Sequence, residues 1–87
     1  MQYFRMVRTL SIGTLLIEIT FERSEDIPCG HMLDHAETVV DCATQIVNED
    51  DAPGLIAAKL ICTFNHVYCV KVVDSSTNEG VSAYERS

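Results

Sequence analysis

Two cysteines and two histidines have the types and spacing closest to those of a metal site. Cys29 and His31 are two positions apart, and His35 and Cys42 are seven apart, which would place the second pair on one face of a helix. A tetrahedral zinc ion takes four such ligands, although this spacing matches no standard finger. The alternative is a small buried Cys42 and a solvent-facing His35. We predict no metal or cofactor and keep these four residues as an open candidate site.

The same residue types are spaced unfavourably for catalysis, because a nucleophile and its base must lie within hydrogen-bond reach. Cys42 and His35 are separated by a helical rise of about 10 Å. Cys69 and His66 lie near one predicted turn, but no acidic residue is placed to orient the histidine. No glycine-rich phosphate loop occurs. The sequence therefore predicts a protein that is not an enzyme.

Acidic residues are the most distinctive feature of the sequence. The formal net charge is −7, from 13 acidic against 6 basic residues, and residues 24–58 contain no Lys or Arg. This balance argues against direct nucleic-acid binding, because phosphate contacts need clustered cations, and it disfavours anionic membranes. Six carboxylates are predicted to form a row along a helix and the turn beyond it: Asp34, Glu37, Asp41, Glu49, Asp50 and Asp51.

This acidic row has two explanations. A solvated helix face is the common reason for a charge run. Against it, exposed helices usually alternate their charges, and Glu49, Asp50 and Asp51 follow the predicted helix at its negative end, where the helix dipole disfavours acids. A basic partner surface would explain both features, and such surfaces belong mostly to nucleic-acid-binding proteins. We therefore predict that the row binds a cationic protein.

The first third of the chain has the period-2 alternation of a β-hairpin. Apolar and polar residues alternate along residues 3–22 on both sides of a predicted turn at residues 11–14. This turn would pair Leu10 with Leu15 and place the apolar side chains of both strands on one face. Arg8 is the exception on that face, where its stem could be buried and its charge reach past the edge. Glu18 interrupts the apolar run that follows the first arginines, so we expect no cleaved signal peptide.

The middle of the chain is predicted to be helical. Asp34 with Glu37 three residues later resembles a capping box, and the apolar residues that follow have helical spacing. Pro53-Gly54 is predicted to end the segment. The helix would therefore begin at Asp34 and present its acids to solvent.

Residues 55–74 are predicted to form a second hairpin with a turn at Asn65-His66, because β-branched residues dominate them. Cys62 would then face Cys69. Both are expected as free thiols in a reducing compartment such as the cytoplasm, with an oxidised pair as the alternative, since their predicted separation lies within the disulfide range. We expect one domain over residues 1–87, of class α+β, in which a four-stranded antiparallel sheet carries one helix on one face in the order ββαββ.

In general organisation the chain resembles small acidic phage-encoded inhibitors of the anti-CRISPR type. The similarity lies in size, negative charge, a sheet-plus-helix layout and an acidic helix–loop region, and it covers the whole chain without a shared motif. It implies an inhibitor that occupies a nucleic-acid groove or a subunit contact of a CRISPR–Cas effector, in the cytoplasm of the host cell.

A local match resembles the two-helix core of the small dynein light chains. Asp41-Cys42-Ala43-Thr44-Gln45 is followed after ten residues by Ile56-Ala57-Ala58, so that residues 41–58 are covered. This resemblance implies a second helix through residues 56–64, where the hydrophobic pattern predicts a strand.

Three functional hypotheses follow from the sequence. The first is a non-enzymatic inhibitor that presents its acidic row to a basic surface of a nucleic-acid-binding complex. The second is a homodimeric adaptor that uses an exposed sheet edge or the second hairpin. The third is a small zinc-binding module built on the two cysteines and two histidines named first. No membrane contact is expected, because no run approaches the roughly 18 apolar residues of a span.

Overall fold

The structure is a computed structural model that describes residues 4–23 and 26–85. These residues form four strands and two helices in the order ββααββ. The elements are β1 (Phe4–Ile12), β2 (Leu15–Arg23), α1 (Cys29–Ile46), α2 (Pro53–Thr63), β3 (Val67–Asp74) and β4 (Glu79–Tyr84). The predicted α+β class with a four-stranded antiparallel sheet is confirmed, whereas the single helix and the ββαββ order are wrong. Tyr3, in the predicted first hairpin, and Glu25, one of the acids of residues 24–58, lie outside the described residues.

The sheet has the strand order β1-β2-β3-β4, with every neighbouring pair antiparallel. Both helices pack on one face of this sheet, and the core lies between the two layers. The buried residues are Met6, Leu15, Ile17, Ile19 and Phe21 from the first hairpin, Met32, Ala36, Val39 and Ala43 from α1, Ile56, Ala57 and Leu60 from α2, and Val67, Val70 and Val72 from β3. The other face of the sheet, which we call the open face, is not covered by any described residue.

The first hairpin has the predicted faces but a different register. Ile12 pairs with Leu15, and Leu10 pairs with Ile17, so the turn contains two residues instead of four. Gly13 in this turn has a φ of +58°, which fits the first central position of a type II′ turn and matches the twist of the flanking strands. The shift of two positions keeps the described side chains on their predicted faces, because side chains in a strand alternate with period two.

Helix α1 begins at Cys29, five residues before the predicted start at Asp34. Pro28 is the N-cap residue, and no side chain caps this end of the helix. The predicted capping box of Asp34 and Glu37 is therefore wrong. The earlier start brings Met32 into the core at the N-terminal end of the buried stripe, and this extra buried area favours the longer helix.

Helix α2 occupies the first part of the predicted second hairpin, which is therefore wrong. Pro53 starts the helix instead of only ending the preceding segment, since a proline lacks the N–H that the first turn leaves unsatisfied. Ile56 and Leu60 are four residues apart on one face and both are fully buried. Neither α1 nor α2, the helices of the described residues, is long and apolar enough to cross a membrane.

The positive φ of Gly13 gives a testable prediction for stability. Gly13→Ala should lower the free energy of unfolding by about 1–2 kcal/mol, because a Cβ is strained in the left-handed region. The new atom would also collide with the flexible Glu49 carboxylate. Gly30→Ala is the matched control, since nothing lies within 4 Å of its Cβ, and a helical alanine should stabilise by up to about 1 kcal/mol. Urea denaturation measures both changes, and an equal effect of the two substitutions would contradict the assignment of the turn.

Candidate interaction surfaces

The outer face of α1 presents three of the six predicted carboxylates. Asp34, Glu37 and Asp41 are exposed, and helical geometry places them opposite the buried stripe. The three carboxylates span a helical rise of about 10 Å. Their spacing along the helix is therefore wider than the roughly 3.4 Å between the charges of a single nucleic-acid strand. The structure therefore presents these three residues as one acidic strip along the helix.

A cation borders this acidic strip. Arg8 of β1 lines a shallow depression together with Glu37, Val40 and Asp41. Its guanidinium donates a hydrogen bond to the carbonyl oxygen of Val7 at 3.1 Å, and the residue is half-buried. The position of Arg8 agrees with the prediction of a stem buried at the sheet edge, and its charge partly offsets the acidic strip.

The other three predicted carboxylates lie in the connection between the two helices. Glu49 and Asp50 are both exposed, and the Glu49 carboxylate lies close to Gly13 in the β1–β2 turn. Asp51 forms an ion pair with Lys59, whose Nζ is 3.7 Å from Oδ2. Glu49 therefore lies beside the β1–β2 turn, and Lys59 partly offsets the charge of Asp51.

The helix dipole gives two of these acids a structural explanation. Asp50 and Asp51 precede the N-terminus of α2, whose N-cap residue is Ala52, and acids are favoured at that positive end. Asn48 orders the turn, because its side-chain oxygen accepts a hydrogen bond from the N–H of Asp50 at 2.9 Å. The C-terminal end of α1 disfavours these carboxylates, but the N-terminal end of α2 favours them. The hydrophobic pattern did not predict this second helix.

The structure does not bring the four metal-site candidates together. In the described residues, no group of three or more His, Cys, Asp or Glu side chains is placed to hold a metal ion. Cys29 and His31 are exposed at the start of α1, and Cys42 lies seven residues beyond His35 along the helix, a rise of about 10 Å. The predicted candidate site is therefore not formed by this arrangement.

His35 has a structural role instead. Its Nε2 lies 2.6 Å from the carbonyl oxygen of Asn65, so an N–H at this position donates a hydrogen bond to the connection between α2 and β3. The His35 ring also makes edge-to-face contacts with Phe21 and His66, at centroid distances of 6.0 Å and 5.7 Å. His35 thus joins α1 to the segment that leads into β3.

The cysteines Cys62 and Cys69 do not face each other as predicted. Cys62 is exposed on α2, whereas Cys69 lies on β3, because residues 53–63 form a helix. Cys69 contacts Tyr84 on the open face of the sheet. The pKa of the Tyr84 hydroxyl is raised above its usual value, chiefly by the electrostatic effect of the neighbouring Cys69 and then by the hydrogen bond between the two side chains.

A bulge in β3 brings a second tyrosine to this part of the open face. The pairing between β2 and β3 shifts so that Thr20 pairs with Cys69 and Phe21 pairs with Val67, which leaves Tyr68 as the extra residue. The Tyr68 ring lies edge-to-face with Tyr84 at 5.8 Å. The guanidinium carbon of Arg5 is 4.5 Å from the centre of the Tyr68 ring, a cation–π contact.

The outer edge of β4 is an exposed sheet edge of the kind that the adaptor hypothesis uses, but the sequence did not locate it. The N–H of Glu85 donates to the carbonyl oxygen of Tyr68 at 2.9 Å, and hydrogen-bonded pairs alternate along an antiparallel ladder. The N–H and C=O groups of Gly80, Ser82 and Tyr84 therefore point away from β3. No described residue pairs with them. The turn-rich segment before Val81 could have indicated that a strand follows it. It could not have shown that this strand lies at an edge, because strand order depends on the whole sheet.

A depression lies between α2 and β4. It has a volume of about 420 Å³ and is lined by Ala58, Ile61 and Cys62 from the helix and by Ala83, Tyr84 and Glu85 from the strand segment. Ala58 and Cys62 are exposed. The backbone groups of the β4 edge thus lie beside a mainly apolar concavity.

The opposite edge of the sheet is formed by β1 and is protected by charge. β1 carries Arg5 and Arg8, and cations on an edge strand discourage the addition of another strand. Residues 80–84 of β4 contain no charged side chain. The two edges of the sheet therefore differ, and β4 is the edge open to pairing.

The turn between β3 and β4 is fastened to the turn between β1 and β2. The N–H and the hydroxyl of Ser75 both donate to the carbonyl oxygen of Thr14, at 2.8 Å and 2.7 Å. The Asp74 carboxylate accepts hydrogen bonds from the hydroxyl and the N–H of Ser76, at 2.7 Å and 2.9 Å. These two bonds hold the pKa of Asp74 below its usual value. The hydrogen bonds of Ser75 and Ser76 together fix the turn that precedes β4.

Ser76→Ala should raise the pKa of Asp74 towards its ordinary value of 3.8, because the alanine cannot donate to the carboxylate. A carboxyl group with a lowered pKa in the folded state contributes stability above its unfolded pKa and loses it as the pH falls through the folded pKa. The variant should therefore lose less stability on acidification. An NMR titration of the Asp74 carboxyl carbon measures the change. Ser75→Ala is the control, and an unchanged pKa in Ser76→Ala would contradict the assignment.

No protein-family model, curated protein or solved structure matches this chain. Its function therefore has to be inferred from the surfaces themselves. The surfaces with geometry suited to binding are the edge of β4 with its neighbouring depression, the acidic strip of α1 and the open face of the sheet.

Proposed function

We propose that this protein is a non-enzymatic interaction module that binds an extended segment of a partner protein along the outer edge of β4. The observation that carries the proposal is the set of outward backbone groups on Gly80, Ser82 and Tyr84. An extended segment that pairs with such an edge gains affinity from main-chain hydrogen bonds. This form of recognition requires no catalytic residue.

The depression between α2 and β4 supplies a basis for specificity. Side chains of an added strand alternate between the two faces of the sheet, so every second one would face α2. Those side chains would contact Ala58, Ile61 and Cys62. An apolar side chain at alternate positions of the bound segment therefore fits this surface.

The two-helix arrangement also supports an adaptor. Helix α2 spans Pro53–Thr63, and the resemblance of residues 41–58 to the two-helix core of the small dynein light chains implies a second helix over residues 56–64. The matching residues Ala43, Ile56 and Ala57 are fully buried.

Substitution of Ser82 tests the proposed edge. Peptides selected from a random phage-displayed library on the wild-type protein should bind Ser82→Pro at least about tenfold more weakly, because the variant lacks an outward N–H and its ring obstructs the incoming strand. The fold should persist, since proline is tolerated on an edge strand. Isothermal titration calorimetry with the selected peptides measures the loss.

Thr9→Pro makes the same change at an outward position of the β1 edge and should leave peptide affinity unchanged. Circular dichroism checks that both variants are folded. Failure to select any peptide, or equal affinities of Ser82→Pro and wild type for the selected peptides, would count against the proposal.

A second candidate function is inhibition of a nucleic-acid-binding complex, such as a CRISPR–Cas effector, through the acidic strip of α1. The observation that favours it is the exposure of Asp34, Glu37 and Asp41 opposite the buried stripe. In this function the carboxylates speed the encounter with a basic protein surface, and apolar neighbours hold the complex. The bordering Arg8 and the Asp51–Lys59 pair reduce the charge available, so the β4 edge is the better-supported surface.

Charge reversal tests this second function. Asp34→Lys combined with Asp41→Lys should abolish the recovery of basic partners in a low-salt pull-down from a lysate of source cells, because the electrostatic attraction becomes repulsive. Partners recovered by the wild type should be lost at high salt, since exposed charges are screened. The thermal midpoint of the double variant is the control for folding, and unchanged recovery of a basic partner would exclude the acidic strip as its binding site.

A further inference from the structure

The open face of the sheet is partly apolar although no described residue covers it. Val7, Leu16 and Tyr84 are 46%, 51% and 59% exposed on this face. A depression of about 430 Å³ lies on it, beside Leu16 and Val73. One wet face is normal for an antiparallel sheet, so exposure alone identifies no partner. The arrangement of the side chains is more informative.

The strand register places the side chains of the open face in rows that cross all four strands. From β1 to β4, the rows are Ser11–Leu16–Val73–Gly80, Thr9–Glu18–Lys71–Ser82 and Val7–Thr20–Cys69–Tyr84. The middle row contains one anion and one cation on the two central strands. Glu18 and Lys71 are direct cross-strand neighbours, yet the described structure contains no ion pair between them.

We propose that the open face binds the open face of a second copy of this chain, as two sheets packed face to face. A two-fold axis that runs along the strand direction between β2 and β3 places β2 of one copy over β3 of the other. Glu18 then lies over Lys71 of the second copy, and Lys71 lies over its Glu18. The same operation places Leu16 over Val73. The pairing is self-complementary, as an isologous interface requires.

The alternative two-fold axis, which runs across the strands through the middle row, is excluded by charge. It would place Glu18 over Glu18 and Lys71 over Lys71, and opposed like charges cost several kcal/mol. The charge pattern therefore selects one orientation of the two copies. That orientation is also the aligned packing, with sheets about 30° apart, that two antiparallel sheets commonly adopt.

The size of the face sets the strength of the interaction. Four strands about 4.8 Å apart and about seven residues long give an area of roughly 450 Å² per copy. The total of roughly 900 Å² lies below the 1,200–2,000 Å² of standard stable interfaces. The dimer is therefore weak and dependent on concentration. Because β4 of one copy lies over β1 of the other, the two β4 edges lie on opposite sides of the dimer and stay accessible.

Charge-swapped variants test the dimer independently of the β4 edge. Sedimentation equilibrium should show concentration-dependent dimerisation of the wild type. Glu18→Lys and Lys71→Glu should each weaken it at least about tenfold, because each homodimer then opposes like charges. An equimolar mixture of the two variants should dimerise again, since both contacts in the mixed dimer join opposite charges. A role of these residues within one chain would not produce this rescue.

Two further variants keep the result interpretable. Gln45→Lys adds a charge to the solvent side of α1 and should leave dimerisation unchanged. Leu16→Asp should abolish dimerisation through the apolar row, and circular dichroism checks that every variant is folded. A wild type that stays monomeric at millimolar concentration would overturn the proposal, because the face would then be open or bound by a different molecule. It would also be overturned if folded Glu18→Lys and Lys71→Glu failed to associate when mixed.

Discussion

Strand β2 is the element on which the rest of the structure depends. Leu15, Ile17, Ile19 and Phe21 alternate along it and are all buried against the helices. Since a slip of one position would move all four side chains to the other face, this alternation fixes the register of β1 on one side and of β3 on the other. The hydrophobic contact between β2 and the helices therefore also determines which residues appear on the open face.

The elements that could be predicted are those whose signal is local. The faces of the first hairpin follow from strict alternation, and the stripe of α1 from helical spacing. Helix α2 was missed because Ile61, Phe64 and the Val67–Asp74 run favour strands locally. Burial of Ile56 and Leu60 against the sheet overrides that preference, as tertiary packing often does.

The interaction surfaces also differ in whether a local sequence signal could predict them. Exposure of Asp34, Glu37 and Asp41 follows from the helical period and was predictable. The open edge of β4 was not, because the order of strands in a sheet is not encoded in any short segment. The placement of Asp50 and Asp51 shows how one missed element alters an electrostatic interpretation: the N-terminus of α2 supplies a favourable dipole, so these acids need no external partner.

The antiparallel pairing of β2 with β3 has a consequence for how the chain folds. Ile19 and Val70 are direct partners, and both helices lie between them in the chain. Loop-closure entropy opposes such a contact until the intervening segment becomes compact, and non-local strand pairing slows folding. During synthesis the first hairpin emerges long before β3, and an isolated hairpin is marginally stable. The hydrophobic face of β2 is therefore exposed to other nascent chains until the last third of the protein has left the ribosome.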